Sequence, residues 1–166
     1  IIIFIVTSII LSHIFYYLIS SRDFCSIENG KGICEYKNGD IYEGEFKDDK
    51  REGHGVYKWN YGDIFEGEYK NDEREGHGVY KWKDGDIFEG EFKKDLRNGY
   101  GIFKTNDGNI FEGEYKNDEI NGQGIERWND GSVFKGEYKD GQVLEFLNIV
   151  QEIYMKEKLK MINKMV

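Results

Sequence analysis

The residues that could do chemistry in this 166-residue chain recur at fixed spacing. His54 and His77 occupy equivalent places in two similar segments, and two imidazoles could share a metal ion. No third ligand lies at metal-binding spacing, so one position copied between repeats is the better interpretation. We therefore expect no metal site and no cofactor.

Paired carboxylates are the second candidate. Glu66 and Glu68 alternate onto one side of a predicted strand, where they could act as acid and base or bind calcium. The pair recurs along the chain beside lysines, on a predicted open sheet without a pocket, which favours a solvated charged face. No phosphate-binding loop and no recognisable Ser or Cys nucleophile is present. We expect no enzymatic activity from these residues.

Cys25 and Cys34 are the two cysteines. Their spacing lies outside any C-x-x-C pattern, so we interpret them as free, partly buried thiols. A disulfide would require the chain to face an oxidising, lumenal compartment.

Charge limits the partners of the chain. Asp and Glu number 32 against 23 Lys and Arg, and residues 39–141 hold 26 acidic and 16 basic side chains, a net charge of −10. Such a surface repels phosphate groups, so we expect no nucleic-acid partner. An aromatic content of 16% also excludes a simple disordered acidic segment.

Glycines recur with a period of 23 residues, and this glycine lattice indicates which elements position these side chains. Four series of five account for 20 of the 21 glycines, and a period in the twenties indicates a repeat array. One series lies in predicted turns: Gly39, Gly62, Gly85, Gly108 and Gly131. The glycines to which we assign a structural role in the hairpins are Gly44, Gly53, Gly55, Gly67, Gly76, Gly78, Gly90, Gly99, Gly101, Gly113, Gly122 and Gly124.

Alternating residues predict one hairpin per repeat. Phe65-Glu66-Gly67-Glu68-Tyr69 has the period of a half-buried strand, and the alternation returns after a six-residue loop, residues 70–75. We expect Phe65 to face Trp82, Gly67 to face Tyr80 and Tyr69 to face Gly78, so that each ring lies over a residue without a side chain.

The connection between repeats is predicted to be a three-residue turn, Lys83-Asp84-Gly85, with its glycine in the left-handed conformation. This turn pairs Lys81 with Ile87 and Tyr80 with Phe88, which keeps rings on one face.

The predicted fold is all-β: an elongated, single-layer antiparallel meander of about five 23-residue hairpins with an aromatic face and a charged face. On the charged face Glu66, Glu89 and Glu112 are expected opposite Lys81, Lys104 and Arg127. The candidate binding residues on the aromatic face are Tyr42, Phe46, Tyr57, Trp59, Phe65, Tyr69, Tyr80, Trp82, Phe88, Phe92, Phe103, Phe111, Tyr115 and Trp128.

The two ends differ from the array at residues 29–141. Residues 1–20 lack acidic residues, Lys and Arg, and are long enough for a transmembrane helix or signal anchor, with a cleaved signal peptide as the alternative. Residues 21–28 are a predicted linker, and basic residues at 22, 31 and 37 favour a membrane-associated array that faces the cytoplasm. Residues 142–166 are predicted to form an amphipathic capping helix, or a basic helix that touches a membrane or partner.

The segments YEGEF, FEGEY, FEGEF, FEGEY and FKGEY, followed by GHG, GHG, GYG and GQG, resemble the MORN repeat. The resemblance covers about residues 29–141 and implies a curved or twisted single-layer sheet with roles in membrane association, scaffolding and dimerisation. MORN arrays also occur beside catalytic domains. Thr105 and Glu126 depart from the pattern where rings are expected, and Cys34 is a smaller apolar filler.

These observations predict a membrane-tethered scaffold that binds a protein partner through its aromatic face. A phospholipid-surface binder is one alternative, because Lys47, Lys70, Lys93, Lys116 and Lys139 recur at one edge. The other alternative is the MORN portion of a larger enzyme, such as a phosphatidylinositol-4-phosphate 5-kinase or a SET-domain histone-lysine methyltransferase. Its catalytic domain would lie outside these residues.

Overall fold

One antiparallel sheet contains every regular element of residues 23–146, the part of the chain that the computed structural model describes. Its twelve strands pair in chain order, which confirms the predicted all-β single-layer meander. The strands are β1 (Phe24–Glu28), β2 (Lys31–Glu35), β3 (Ile41–Lys47), β4 (Lys50–Lys58), β5 (Ile64–Lys70), β6 (Glu73–Lys81), β7 (Ile87–Lys93), β8 (Leu96–Lys104), β9 (Ile110–Lys116), β10 (Glu119–Arg127), β11 (Val133–Lys139) and β12 (Gln142–Phe146).

The sheet is longer than predicted at both ends. The expected linker, residues 21–28, contains β1, and β12 occupies Gln142–Phe146, where a helix was expected to begin. The described region therefore forms six hairpins instead of about five. The predicted helix of residues 1–20 and the rest of the C-terminal one, residues 147–166, lie outside the described residues. Between residues 23 and 146 no helix is long and apolar enough to cross a membrane.

The register within each hairpin differs from the prediction. Phe65 lies opposite Tyr80, and Gly67 lies opposite Gly78, instead of Phe65 facing Trp82. The chain reverses in two residues, Asn71 and Asp72, both in the left-handed conformation, and not in a six-residue loop.

A bulge then shifts the pairing partway along the hairpin, between Gly67 and Tyr69 on β5. Gly76, on the facing strand at this bulge, has a φ of 70°, a conformation that side chains other than Asn and Asp rarely adopt. This backbone requirement explains one series of the glycine lattice.

The turn between repeats follows the prediction. Lys81 pairs with Ile87 and Tyr80 with Phe88, and the backbone N–H of Gly85 donates to the carbonyl of Trp82 at 3.0 Å. Gly85 has a φ of 103°, as a left-handed turn position requires. Ring therefore faces ring across the boundary between repeats.

The core of this one-layer sheet consists of rings that lie on pairs of glycines. A Cβ on Gly67 would lie 2.6 Å from the Cζ of Phe65, and a Cβ on Gly78 would contact the same ring atom even more closely. Phe65 is consequently fully buried without a second layer. The ring over Gly78 is that of Phe65 and not that of Tyr69, which corrects the predicted pairing.

These core rings form a continuous edge-to-face chain across the repeats. Phe65 meets Tyr69 of its own strand at 5.5 Å between centroids and Phe92 of the next repeat at 5.0 Å. Edge-to-face pairs contribute about 0.5–1.5 kcal/mol beyond the area that they bury. The buried members are Tyr42, Phe65, Tyr69, Phe88, Phe92, Phe111, Tyr115 and Tyr138.

The substitution Gly78→Val tests the ring-on-glycine contact. We expect it to lower the free energy of unfolding by about 1–3 kcal/mol, because the new side chain occupies the space of the Phe65 ring. Chemical denaturation of the variant measures this loss. In a Phe65→Ala background the cost of Gly78→Val should largely disappear, and an equal cost in both backgrounds would contradict the contact.

Candidate functional site

Six partly buried rings form a second row on the aromatic face, beside the core rings. Centroid distances between neighbours in this row are 5.8, 4.6, 5.2, 4.4 and 5.5 Å, so the rings touch in an unbroken line across four repeats. We call this row the ring track. Its members, in order, are Tyr36, Tyr57, Trp59, Tyr80, Trp82 and Phe103.

Two buried carboxylates fix two of the three tyrosines of the ring track. The hydroxyl of Tyr57 donates to Asp40 at 2.7 Å, and that of Tyr80 donates to Asp63 at the same distance. Asp63 also accepts the backbone N–H of Lys83 at 2.9 Å, so each carboxylate joins the turn before its tyrosine to the turn after it. These bonds therefore hold the ring track rigidly along the side where the turns between repeats lie.

The ionisation of these groups follows from their surroundings. Burial disfavours the charged form of Asp40, but hydrogen bonds from the Asn60 N–H, the Tyr57 hydroxyl and the Asn38 amide outweigh it and lower the pKa of this carboxyl. Burial, followed by the bond to Asp40, raises the pKa of Tyr57. At neutral pH the tyrosine is thus a neutral donor to a charged acceptor, which is a strong pairing.

Three arginines on the opposite side of the track were not predicted as functional residues. The guanidinium carbon of Arg74 lies 5.5, 5.6 and 5.3 Å from the ring centroids of Phe65, Tyr80 and Phe92. Its Nε lies 3.1 Å from the Asp95 carboxylate, and its Nη2 donates to the Asp95 carbonyl at 2.6 Å. Arg51 lies over three rings and Arg97 over two, and each pairs with an aspartate in the same way. The 23-residue spacing of the three arginines was the available signal.

An open hollow of about 340 Å³ lies where the track meets these arginines. Aromatic rings and guanidinium groups form its walls together with two carboxylates. Its lining residues are Arg74, Tyr80, Trp82, Phe92, Asp95, Arg97 and Asp118.

The predicted binding residues separate into two groups. Those that are buried cannot contact a partner, so the expectation that the whole aromatic face is exposed is wrong for them: Tyr42, Phe65, Tyr69, Phe88, Phe92, Phe111 and Tyr115. The others keep accessible surface: Phe46, Tyr57, Trp59, Tyr80, Trp82, Phe103 and Trp128. In the buried group, Tyr42, Phe65, Phe88 and Phe111 lie over glycine pairs, and Tyr69, Phe92 and Tyr115 meet these rings edge to face.

The track is interrupted after Phe103. Thr105 and Glu126 stand where rings occur in earlier repeats, and Trp128 is 38% exposed, with Phe134 as its ring neighbour at 6.4 Å. Trp128 is therefore the same residue type as Trp82, but it does not belong to the continuous row of rings.

The other face carries the charges, but in a different register from the one predicted. Glu66 lies opposite Val79, and Glu89 opposite Ile102, two positions before the predicted lysines, because each hairpin reverses in a two-residue turn and its bulge makes up only part of the difference from the predicted loop. The predicted pair of Glu112 and Arg127 exists as a diagonal contact at 3.3 Å.

The two histidines on this face do not form a site together. His54 lies opposite Glu68, while His77 lies opposite Glu91, and these are separate strand pairs. Within residues 23–146 no three His, Cys, Asp or Glu side chains gather as metal ligands.

Cys25 and Cys34 form a disulfide across β1 and β2, which corrects the expectation of free thiols. The two residues are direct partners in the β1–β2 register. This proximity was not visible in the sequence, because β1 had been assigned to a linker.

A periodic single-layer meander with a glycine lattice defines an all-β repeat protein. The MORN repeat family matches five consecutive segments, residues 27–41, 42–64, 65–87, 88–110 and 111–133. The chain belongs to the MORN repeat family. No curated protein matches it.

Among solved structures, the chain is similar to the SAS-4 (dCPAP) TCP domain of Drosophila melanogaster, described in complex with a proline-rich motif of Ana2 (dSTIL). The sequences are 15% identical, the TM-score is 0.49, and the match covers 70% of this chain and 68% of that chain.

Arg74→Met tests the contacts through which Arg74 joins the rings of two repeats to Asp95. We expect a loss of about 1–3 kcal/mol in unfolding free energy, because the substitution removes charge-assisted hydrogen bonds and leaves the rings of two repeats without their shared cation. Arg127→Met is the matched control, since its exposed ion pair should contribute at most about 1 kcal/mol. Equal losses in both variants, measured by urea denaturation, would contradict a special role for Arg74.

Proposed function

We propose that this MORN array is a repeat scaffold that binds a protein partner through the ring track, and that residues 1–20 hold it at a membrane. The observation that supports partner binding is the continuity of the track. Six rings in contact remain partly exposed on a sheet that has already buried its core rings. Contiguous exposed apolar surface of this kind marks interaction sites.

The composition of the track favours a protein partner. Tyr, Trp and Arg are the residue types that dominate binding energies at protein interfaces, and all three line the hollow where the track meets Arg74 and Arg97. Within residues 23–146, the indole N–H groups of Trp59 and Trp82 have no hydrogen-bond acceptor. They are therefore available as donors to the backbone of a partner.

The rigidity of the track lowers the cost of binding. Asp40 and Asp63 hold Tyr57 and Tyr80, and these rings in turn contact Trp59 and Trp82. Binding to rings that are already fixed loses little conformational entropy.

A phospholipid surface is the alternative ligand. The lysines at 47, 70, 93, 116 and 139 are all exposed and lie at one edge, as an anionic membrane would require. The net charge of −10 over residues 39–141 opposes this attraction, which is why we favour protein.

The remaining expectations stay predictions. Membrane attachment through residues 1–20 and the absence of catalysis in these residues belong to the proposal, and a catalytic domain outside them is its alternative. The Cys25–Cys34 disulfide bears on the compartment, because disulfides persist in oxidising environments. It favours an oxidising side of the membrane over the cytoplasmic placement expected from the basic residues.

Trp82→Ala tests the track as the binding surface. A photo-reactive residue at position 82 first captures and identifies the partner, and the same residue at Val79, on the opposite face, is the background. We then expect Trp82→Ala to weaken binding of the purified partner by about 2 kcal/mol or more, roughly 30-fold in affinity, as for an interface hot spot.

Trp128→Ala is the matched control, because Trp128 lies outside the ring track. It should change the affinity by no more than about threefold, which corresponds to less than half of the free-energy change of a tenfold loss. Equal effects of the two tryptophan variants would contradict the proposal. Salt-sensitive flotation of the chain with phosphoinositide vesicles, lost when Lys70 and Lys93 become Glu, would support the lipid alternative instead.

A further inference from the structure

The first strand of the sheet lacks the anchor that the other hairpins use. In β5, for example, Phe65-Glu66-Gly67-Glu68-Tyr69 buries two rings, Phe65 over a glycine pair and Tyr69 against Phe65. The corresponding strand β1 reads FCSIE, with no glycine, and all five of its residues are exposed. Its one ring, Phe24, is 68% exposed. No residue of β1 belongs to the core cluster.

A disulfide occupies the place of that anchor. Cys34 stands 23 positions before Tyr57, at the position where later repeats carry a ring of the track. It is only 2% exposed and is bonded to Cys25, its direct partner on β1. Next to β1, among residues 23–146, the Lys37 N–H also donates a hydrogen bond to Asp23 at 2.9 Å.

We propose that the Cys25–Cys34 disulfide is a redox latch that holds β1 on the edge of the sheet. A dithiol reductant opens it by thiol–disulfide exchange. The thiolate of the reductant attacks Cys25, which is exposed, and Cys34 leaves as a thiolate that takes up a proton. The second thiol of the reductant then displaces Cys25, so the chain gains two electrons and two protons while the reductant becomes a disulfide.

Opening the latch detaches β1. All five residues of β1 are exposed, so after reduction the strand is held mainly by its backbone hydrogen bonds to β2. Such hydrogen bonds contribute little net free energy where water competes for them. Its departure leaves the N–H and C=O groups of β2 that faced it unpaired. Such an edge is a template for pairing with another strand. The latch therefore controls whether the edge of the sheet is closed or open.

Hydrogen exchange of the full chain, followed by mass spectrometry, tests the latch. After incubation with a dithiol, amides of residues 24–28 and of the β2 edge should exchange at least tenfold faster. Amides of residues 87–104, which contain no cysteine, report on the intact array and should not change. The double variant Cys25→Ser/Cys34→Ser should exchange like the reduced parent whether or not the dithiol is present.

Two results would overturn the proposal. One is unchanged protection of residues 24–28 after complete reduction, verified by alkylation of two thiols, because the backbone ladder alone would then hold β1. The other is alkylation of both cysteines in the purified chain without any reductant, because no latch would exist.

Discussion

A one-layer sheet has no second layer to cover its apolar side chains, and this constraint governs the structure. The solution is a large ring laid flat on two glycines that face each other across neighbouring strands. Phe65 over Gly67 and Gly78 is one instance, and Phe88 over Gly90 and Gly101 is the next. Because any Cβ at these glycines would occupy the place of the ring, glycine is required at both positions in each repeat.

The rest of the architecture follows from this packing. Each core ring reaches the ring of the next repeat, so stability is shared between neighbours along the array, as in other repeat proteins. Two further contacts join neighbouring repeats. One is the ion pair between Arg74 and Asp95, and the other is the hydrogen bond that Asp63 accepts from the Lys83 N–H. The rings over glycine pairs and the rings that meet them edge to face form the buried row, while the second row remains partly exposed and forms the ring track.

The sequence predicted what is periodic and missed what depends on exact turn length. Glycine spacing and alternation were sufficient for the meander, its two faces and the three-residue turn at Gly85. The hairpin register was wrong because Asn71 and Asp72 were read as part of a loop, while both adopt left-handed conformations and form a two-residue turn.

The candidate site was predictable only in part for the same reason. Alternation places Phe65 and Tyr80 on one face, but it cannot tell which of them lies over glycine and which remains accessible. The arginine at position 74 was visible as a 23-residue repeat, yet its role depends on rings from two repeats that meet only in the folded sheet. Predicting the disulfide would have required recognising β1, a strand that does not follow the repeat pattern.

The ring-on-glycine packing can be measured directly through the proton chemical shifts of Gly78. A proton that lies against the face of an aromatic ring is shifted strongly upfield by the ring current. We predict such a shift for the Hα protons of Gly78, and we expect it to disappear in Phe65→Leu and to persist in Tyr69→Leu. An unshifted Gly78, or a shift that depends on Tyr69 instead of Phe65, would contradict it.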